Sequence, residues 1–288
     1  MINFINSCDG IYSDSLDVRF TKQCDNNCPF CIEKTGIQAQ PQNLDLMIES
    51  TIKSGKKTVL ILGGEPFLLI NELREYIIAI RQHVENIYIT TSLPNTITKH
   101  YDIFEDIMLL IDGLNVSLQH WDWEQNNKIL HTSDPHNRIK LLETICKNPA
   151  YADKARISIN IVKGSIDSKA KLDDFLDAME SIGVKHVKIN ELQHTPDLYV
   201  SFEEIYDMKL PSPYAHGCQY DIKLVGHNIR ITLKRACFCV EQSKTANLAD
   251  FIKVIAKKTI HKCKAHQVVL YESGQLSNGW QSSQKGKL

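Results

Sequence analysis

Cys24, Cys28 and Cys31 stand in the run Lys22-Gln-Cys-Asp-Asn-Asn-Cys-Pro-Phe-Cys31, a C-x3-C-x2-C spacing. Three thiolates can hold three irons of a [4Fe-4S] cube and leave the fourth iron open to a ligand that is not protein. An open iron implies chemistry at the cluster rather than electron storage alone. The alternative for three close cysteines is a zinc site, although a structural zinc usually takes four protein ligands. Gly63-Gly64-Glu65-Pro66 closes the next apolar run. Taken alone it reads in two ways: small residues that admit a ligand close to the backbone, or a strand-to-helix turn with a helix-starting proline.

The elements that must position these residues are legible as alternation. Runs rich in β-formers at 16–21, 58–62, 86–91, 113–118, 156–162 and 186–191 are separated by helical patterns at 44–54, 71–84, 99–110, 135–147 and 169–182. In the last of these Leu172, Phe175, Leu176 and Met179 recur at helical spacing. Each crossover is long enough for a right-handed βαβ unit, so the pattern predicts an α/β fold with a parallel sheet. Such an array gathers reactive residues at the carboxyl ends of its strands. The cysteine loop after the first strand and the glycine turn after the second therefore fall on one rim.

With Phe30 just before its third cysteine, the triplet resembles the signature of the radical S-adenosylmethionine (radical SAM) superfamily, and Gly63 to Pro66 resembles that superfamily's methionine-binding turn. The resemblance covers roughly residues 14 to 195 and implies a partial (β/α)6 TIM-type barrel. It implies that Cys24, Cys28 and Cys31 ligate the cluster while the amine and carboxylate of S-adenosyl-L-methionine chelate the fourth iron. An electron from a reducing partner such as flavodoxin or ferredoxin then cleaves the sulfonium to a 5'-deoxyadenosyl radical, which abstracts hydrogen from a small-molecule or peptide substrate. Phe30, Gly63, Gly64, Glu65 and Pro66 would be cofactor-binding, with the Glu65 carboxylate accepting hydrogen bonds from the ammonium. Ser117, ending the fourth strand, resembles the position that approaches the ribose, and Asn160, in the fifth, resembles an asparagine near the cofactor. Thr91-Ser92 departs from the Thr-Asn-Gly of many relatives. Glu191 resembles the end of the sixth strand in relatives of the molybdenum-cofactor cyclase, or is a surface carboxylate.

After Asn190 the alternation is interrupted by Pro196, Pro211 and Pro213, which places a boundary near residue 200 between a barrel core (1–200) and a cysteine-containing extension (201–288). Cys218, Cys237, Cys239 and Cys263 are spaced C-x18-C-x1-C-x23-C. They resemble the ligands of a second [4Fe-4S] cluster in a twitch or SPASM extension; the alternative is that they are buried small hydrophobes. Residues 220–225 and 228–233 alternate around Gly226-His227 as a hairpin. Cys8 and Cys146 read as structural. His120-Trp-Asp-Trp123 could wall a cavity or pack a helix on the barrel. The stretch 269–280 is either a lid or a surface hairpin, and Lys234-Arg235 either binds an anion or faces solvent.

Composition bounds the rest. With 288 residues, 43% hydrophobic and 23% charged, the chain can bury a substantial core. A formal net charge of -1 without a dense Lys/Arg block leaves nucleic-acid binding unsupported. Neither a secretory leader nor a membrane-spanning run is visible, so the expectation is a cytoplasmic protein without a membrane partner. Nine cysteines in that setting favour metal binding or free thiols over disulfides. The resulting expectation is a radical SAM enzyme with a second cluster. The alternatives are a one-cluster enzyme acting on a nucleotide, cyclase-like or dehydratase-like, with Lys163 and Lys188 as basic candidates, or a glycyl-radical activase.

Overall fold

In Arg156-Ile-Ser-Ile-Asn-Ile161 every second residue is an isoleucine and every other one is polar, so a strand must bury one face and wet the other. That division organises the molecule. The computed structural model describes residues 3–6, 14–34, 36–192, 195–210, 219–236, 268–278 and 280. In chain order its elements are β1 (Asn3–Asn6), β2 (Ser15–Thr21), α1 (Leu44–Ser54), β3 (Thr58–Gly63), α2 (Ile70–Ile80), β4 (Asn86–Thr91), α3 (Asn95–Lys99) and α4 (Tyr101–Leu110). There follow β5 (Gly113–Ser117), α5 (Trp123–Leu130), α6 (Arg138–Lys147), β6 (Ala155–Ile161), α7 (Lys169–Ser181), β7 (His186–Glu191), α8 (Phe202–Tyr206), β8 (Gln219–Ile222), β9 (Arg230–Lys234), β10 (Val268–Leu270) and β11 (Leu276–Asn278).

The strands make one sheet in the order β1-β8-β9-β7-β6-β5-β4-β3-β2-β10-β11. From β10 through β2 to β7 and on to β9 every pairing is parallel, whereas β1, β8 and β11 pair antiparallel at the ends. The sheet curls as a partial TIM-type barrel and does not close. The six expected strands form its centre, and the strands after residue 200 extend the same sheet on both sides. The stretch 269–280 supplies an edge of the barrel rather than a lid, with Val269, Leu270 and Tyr271 buried and β10 paired to β2.

The outer face of the sheet is aliphatic. Val59, Ile61, Ile87, Ile89, Val116, Ile157, Ile159, Val187 and Ile189 are fully buried together with Leu73, Ile77, Phe104, Leu142, Phe175 and Leu176 of the covering helices. Each such side chain contributes about 1.5–3 kcal/mol relative to exposure. The helices start where side chains can cap them: Asn43 accepts from the Leu46 N–H, Asn137 from Lys140, and Ser168 from Lys171. Pro135 therefore stays outside α6, which begins three residues later than its apolar pattern. The expected helix at 99–110 is two helices broken at His100, and a short 3-10 turn, Arg81–His83, closes α2. The helix α5 shows no apolar stripe in the sequence, because two of its three buried residues, Asn126 and Asn127, are amides and only Leu130 is apolar. Cys8, Cys218, Cys237, Cys239 and Cys263 lie outside the described residues. Among the described residues no helix is long and apolar enough to cross a membrane.

Candidate functional site

The inner face of the barrel surrounds a cavity of about 660 Å³. Its upper wall carries Cys24, Cys28, Cys31, Phe30, Gly63, Gly64, Glu65, Ser117 and Asn160. Strand topology brings these together from the carboxyl ends of β2, β3, β5 and β6, as the alternating pattern requires. Pro66 is buried at the start of the 3-10 turn Pro66–Leu69 and does not line the cavity.

The glycines serve the chain itself. Gly64 N–H donates to the Thr21 carbonyl at 2.6 Å and Glu65 N–H to the Gln23 carbonyl at 2.7 Å, which ties the turn to the backbone entering the cysteine loop. A Cβ on Gly64 would collide with that Gln23 carbonyl, and Gly63 holds φ +124°, which an L side chain rarely adopts. Substituting either glycine would push the turn away from Cys24.

Glu65 has a fully employed carboxylate. Its Oε1 accepts from the Phe67 N–H (3.2 Å) and the Thr91 hydroxyl (2.8 Å), and its Oε2 from both the N–H and the hydroxyl of Ser92 (2.7 Å each). It therefore caps the 3-10 turn Pro66–Leu69 and clasps the end of β4. Burial pushes its pKa up to about 7, against the pull of the Ser92 and Thr91 hydrogen bonds. The departure at Thr91-Ser92 thus has a structural reason: these two side chains hold Glu65. The next residue, Leu93, takes φ +58°, held by the Thr91 hydroxyl on its N–H (2.9 Å) and by His136 Nε2 against its carbonyl (2.7 Å). Glycine would take this conformation without strain.

Arg138 joins the two motifs and was not singled out in the sequence. Fully buried at the start of α6, it donates from Nε to the Ser92 carbonyl (2.9 Å), and from Nη2 to Asp25 Oδ2 (3.0 Å), Asn26 Oδ1 (3.2 Å) and Thr132 Oγ1 (3.2 Å). Its Nη1 donates to Asn127 Oδ1. Asn26 Nδ2 in turn donates to the Ser92 hydroxyl at 2.8 Å, and the Asn26 N–H lies 3.4 Å from Cys24 Sγ. A continuous network therefore runs from the first cysteine through Arg138 to Glu65.

Cys24 is exposed toward the cavity, Cys28 and Cys31 are half-buried, and all three are free thiols. The enclosing protein pushes Cys24 and Cys28 up to about 12 and raises Cys31, and the charges of Cys31 and Cys24 raise Cys28 further. Metal binding here must displace protons. A single zinc ion, with Zn–S bonds of about 2.3 Å, would draw its ligands together. Among the described residues no three His, Cys, Asp or Glu side chains are disposed to hold one ion. An iron-sulfur cube with one iron per cysteine spaces its thiolates more widely, and three thiols opening on a shared cavity beside a flush glycine turn fit that demand.

Below the rim the lumen is polar. Asp17 on β2, Arg156 on β6, Lys188 on β7 and Lys234 on β9 line it together with Tyr88, Asn115, Ser158 and Asn190. These residues were mostly passed over, yet their alternation with buried Ile and Val was the signal that could have found them. Burial raises Asp17 to about 6, with Trp280 and Lys234 pulling the other way. Lys163 is exposed and does not line the cavity. Nor do His120 and the two tryptophans that follow it: His120 and Trp121 stack at 4.0 Å, Trp121 packs on the core, and Gln119 reaches the lumen instead. Glu191 is buried, not a surface carboxylate; it accepts from the Phe202 N–H (2.9 Å) and the Ala236 N–H (2.8 Å) and faces Arg235.

A family model described as the radical SAM superfamily matches residues 18–179. No curated protein matches the chain. Among solved structures, Streptococcus suis SuiB bound to S-adenosylmethionine is similar at a TM-score of 0.58 and 16% identity, over 96% of this chain and 64% of SuiB. A radical SAM methyltransferase from Sphaerobacter thermophilus is similar at 0.54 and 16%, over 78% of this chain and 67% of its own. The enzyme anSMEcpe, with bound AdoMet and a Cp18Cys peptide, is similar at 0.51 and 12%, over 92% and 73%. These likenesses are of fold, and the chain spans less than two thirds of SuiB.

Proposed function

The chain belongs to the radical SAM superfamily, and from that premise we propose that Cys24, Cys28 and Cys31 hold its [4Fe-4S] cluster and that the turn Gly63 to Pro66 receives the methionine end of S-adenosylmethionine. The substrate is a peptide or a small metabolite. The observation that carries this reading is that the cysteine loop and the glycine turn, tied together by backbone hydrogen bonds, open on one cavity at the carboxyl ends of β2 and β3. Bound by Cys24, Cys28 and Cys31, the cluster would supply the electron for reductive cleavage of S-adenosylmethionine, and hydrogen abstraction from the substrate would follow.

The protein's own residues bind, orient and exclude water. With its carboxylate committed to Thr91 and Ser92, Glu65 acts by fixing the turn, leaving backbone groups of Gly63 to Glu65 to meet the methionine. Phe30 covers the cluster side of the cavity, and Ser117 and Asn160 offer hydrogen bonds to the ribose and its neighbours. The outward-facing aliphatic strands and their helices seal the lumen from the opposite side. The peptide option draws support from anSMEcpe, whose structure holds a peptide. A second cluster at Cys218, Cys237, Cys239 and Cys263 belongs to the same proposal, supported by the β8–β9 hairpin that separates Cys218 from Cys237. A ferredoxin or flavodoxin would be the reductant.

Anaerobic reconstitution and iron counting test this. Changing Cys24, Cys28 and Cys31 together to alanine is expected to remove one cube of iron and all 5'-deoxyadenosine formation; a triple variant that kept either would overturn the assignment. A Cys237→Ala, Cys239→Ala variant with undiminished iron would remove the second cluster from it.

A further inference from the structure

Leu93 is a fully buried leucine in the left-handed region, at φ +58°. Its β-carbon disfavours that conformation about tenfold, so something outside the residue must hold it there. The turn it belongs to joins β4 to α3. On entering that turn the chain sets Thr91 and Ser92, both on the cavity wall, against the Glu65 carboxylate.

Two groups hold Leu93. The Thr91 hydroxyl, whose proton goes to Glu65, accepts from the Leu93 N–H at 2.9 Å, a contact within the turn itself. The Leu93 carbonyl meets His136 Nε2 at 2.7 Å, from a loop 43 residues further along the chain. A carbonyl only accepts, so Nε2 is the donor. His136 is anchored in turn: its Nδ1 lies 2.9 Å from the Asp134 carbonyl, and its own carbonyl accepts from Asn127 Nδ2 at 3.0 Å and from the Arg138 N–H at 3.1 Å.

The loop that carries His136 is keyed to the cysteine loop. The Ser133 N–H donates to the Asp25 carbonyl at 2.7 Å, the Thr132 hydroxyl to the same oxygen at 3.2 Å, and the Asn27 N–H to the Leu130 carbonyl at 3.0 Å. Residues 130–138 thus form a strut between the cysteine loop and the turn after β4. At the turn it takes two consecutive carbonyls, that of Ser92 through Arg138 Nε at 2.9 Å and that of Leu93 through His136. Arg138 brings a buried charge that its partners must balance, whereas His136 acts on the one backbone conformation that leucine resists.

We propose that His136 is a positioning residue of the cofactor seat: by donating to the Leu93 carbonyl it holds a leucine in a glycine-like conformation and so keeps Ser92 on the Glu65 carboxylate that fixes Gly63 to Pro66. This rests on the reading of that turn as the receiver of the methionine end of S-adenosylmethionine, and adds how the turn is held in place. Without the imidazole, Leu93 relaxes toward extended backbone and draws Ser92 away from Glu65. The cysteines and the aliphatic core are left as they were, so the loss falls on cofactor affinity.

The test is a double-substitution cycle read by calorimetric titration of S-adenosylmethionine into the anaerobically reconstituted full-length protein, with the urea midpoint of each variant measured in parallel. His136→Ala is expected to weaken S-adenosylmethionine binding about tenfold, the population that the leucine regains, with iron per chain unchanged. His136→Gln, whose amide can donate to the same carbonyl, should keep most of the affinity. Leu93→Gly takes the left-handed conformation freely but removes a buried side chain, so it lowers the urea midpoint. Adding Leu93→Gly to His136→Ala should therefore return most of the lost affinity while lowering the midpoint further. Affinity and stability then move in opposite directions, which a role in stability alone does not produce. Leu93→Asn, a residue that tolerates the left-handed region, makes the same comparison where the glycine variant does not fold. Unchanged affinity in His136→Ala, or the same weakened affinity with and without the substitution at Leu93, would overturn the proposal. Failure of the wild-type protein to bind S-adenosylmethionine would instead overturn the reading beneath it.

Discussion

A buried arginine is the residue on which the site's geometry turns. Arg138 donates to Asp25 and Asn26 in the cysteine loop and to Ser92 beside Glu65, so it sets the distance between the two motifs. Replacing it by methionine leaves Asp25 buried without its partner, which costs about 3 kcal/mol or more. Arg138→Met is expected to lower the urea midpoint and, in protein that remains folded, to reduce iron per chain and alter the visible spectrum of the reconstituted cluster; Arg138→Lys should recover part of both. A variant with lower stability but an unchanged cluster spectrum would reduce Arg138 to a packing role. The cysteine triplet and Gly63 to Pro66 were legible because ligand number and backbone freedom are properties of residue types. Arg138 was not, because an arginine opening an amphipathic helix looks like a solvated charge until another loop closes over it.

Among the elements, the short C-terminal hairpin does the least expected work. Glu272, in the turn between β10 and β11, receives Arg19 Nε at 2.8 Å and Nη2 at 2.9 Å, and also the Gln40 N–H at 2.8 Å. Arg19 reaches from β2 to the carbonyls of Ile37 and Gln38 and stacks over the Tyr271 ring at 4.5 Å. The hairpin thereby supports the segment that leaves the third cysteine. Glu272→Ala should destabilise the protein by about 3 kcal/mol, since it takes away the two-point carboxylate partner of a buried guanidinium and leaves it with Glu33 at 3.6 Å and the two carbonyls. Pairing it with Arg19→Met should return part of that loss, read as a urea midpoint shift at constant slope. Strand alternation in the sequence located β2 to β7 within two residues at each end. It could not place β9 beside β7 or β10 beside β2, because which edge a late strand joins depends on long-range pairing rather than on local pattern.

For the whole molecule, the apolar core lies between sheet and helices while the lumen is polar, so the fold does not lean on the cluster. Chelation of iron, or the Cys24, Cys28 and Cys31 triple alanine variant, should leave the far-UV circular dichroism and cooperative melting in place. A small zinc domain, by contrast, unfolds without its metal. Loss of the helical signal on iron removal would show that the cluster contributes folding energy outright. From its sequence alone this chain declared its reagent and its layered βα architecture, because thiol spacing and hydrophobic period act over a few residues. Only the tertiary structure decided that Glu65 is consumed by the end of β4, that the aromatic run after β5 turns away from the cavity, and that Arg156, Lys188 and Lys234 share one wall. Those outcomes depend on register and curvature across strands far apart in the chain, where the partner of each polar group is chosen by the fold.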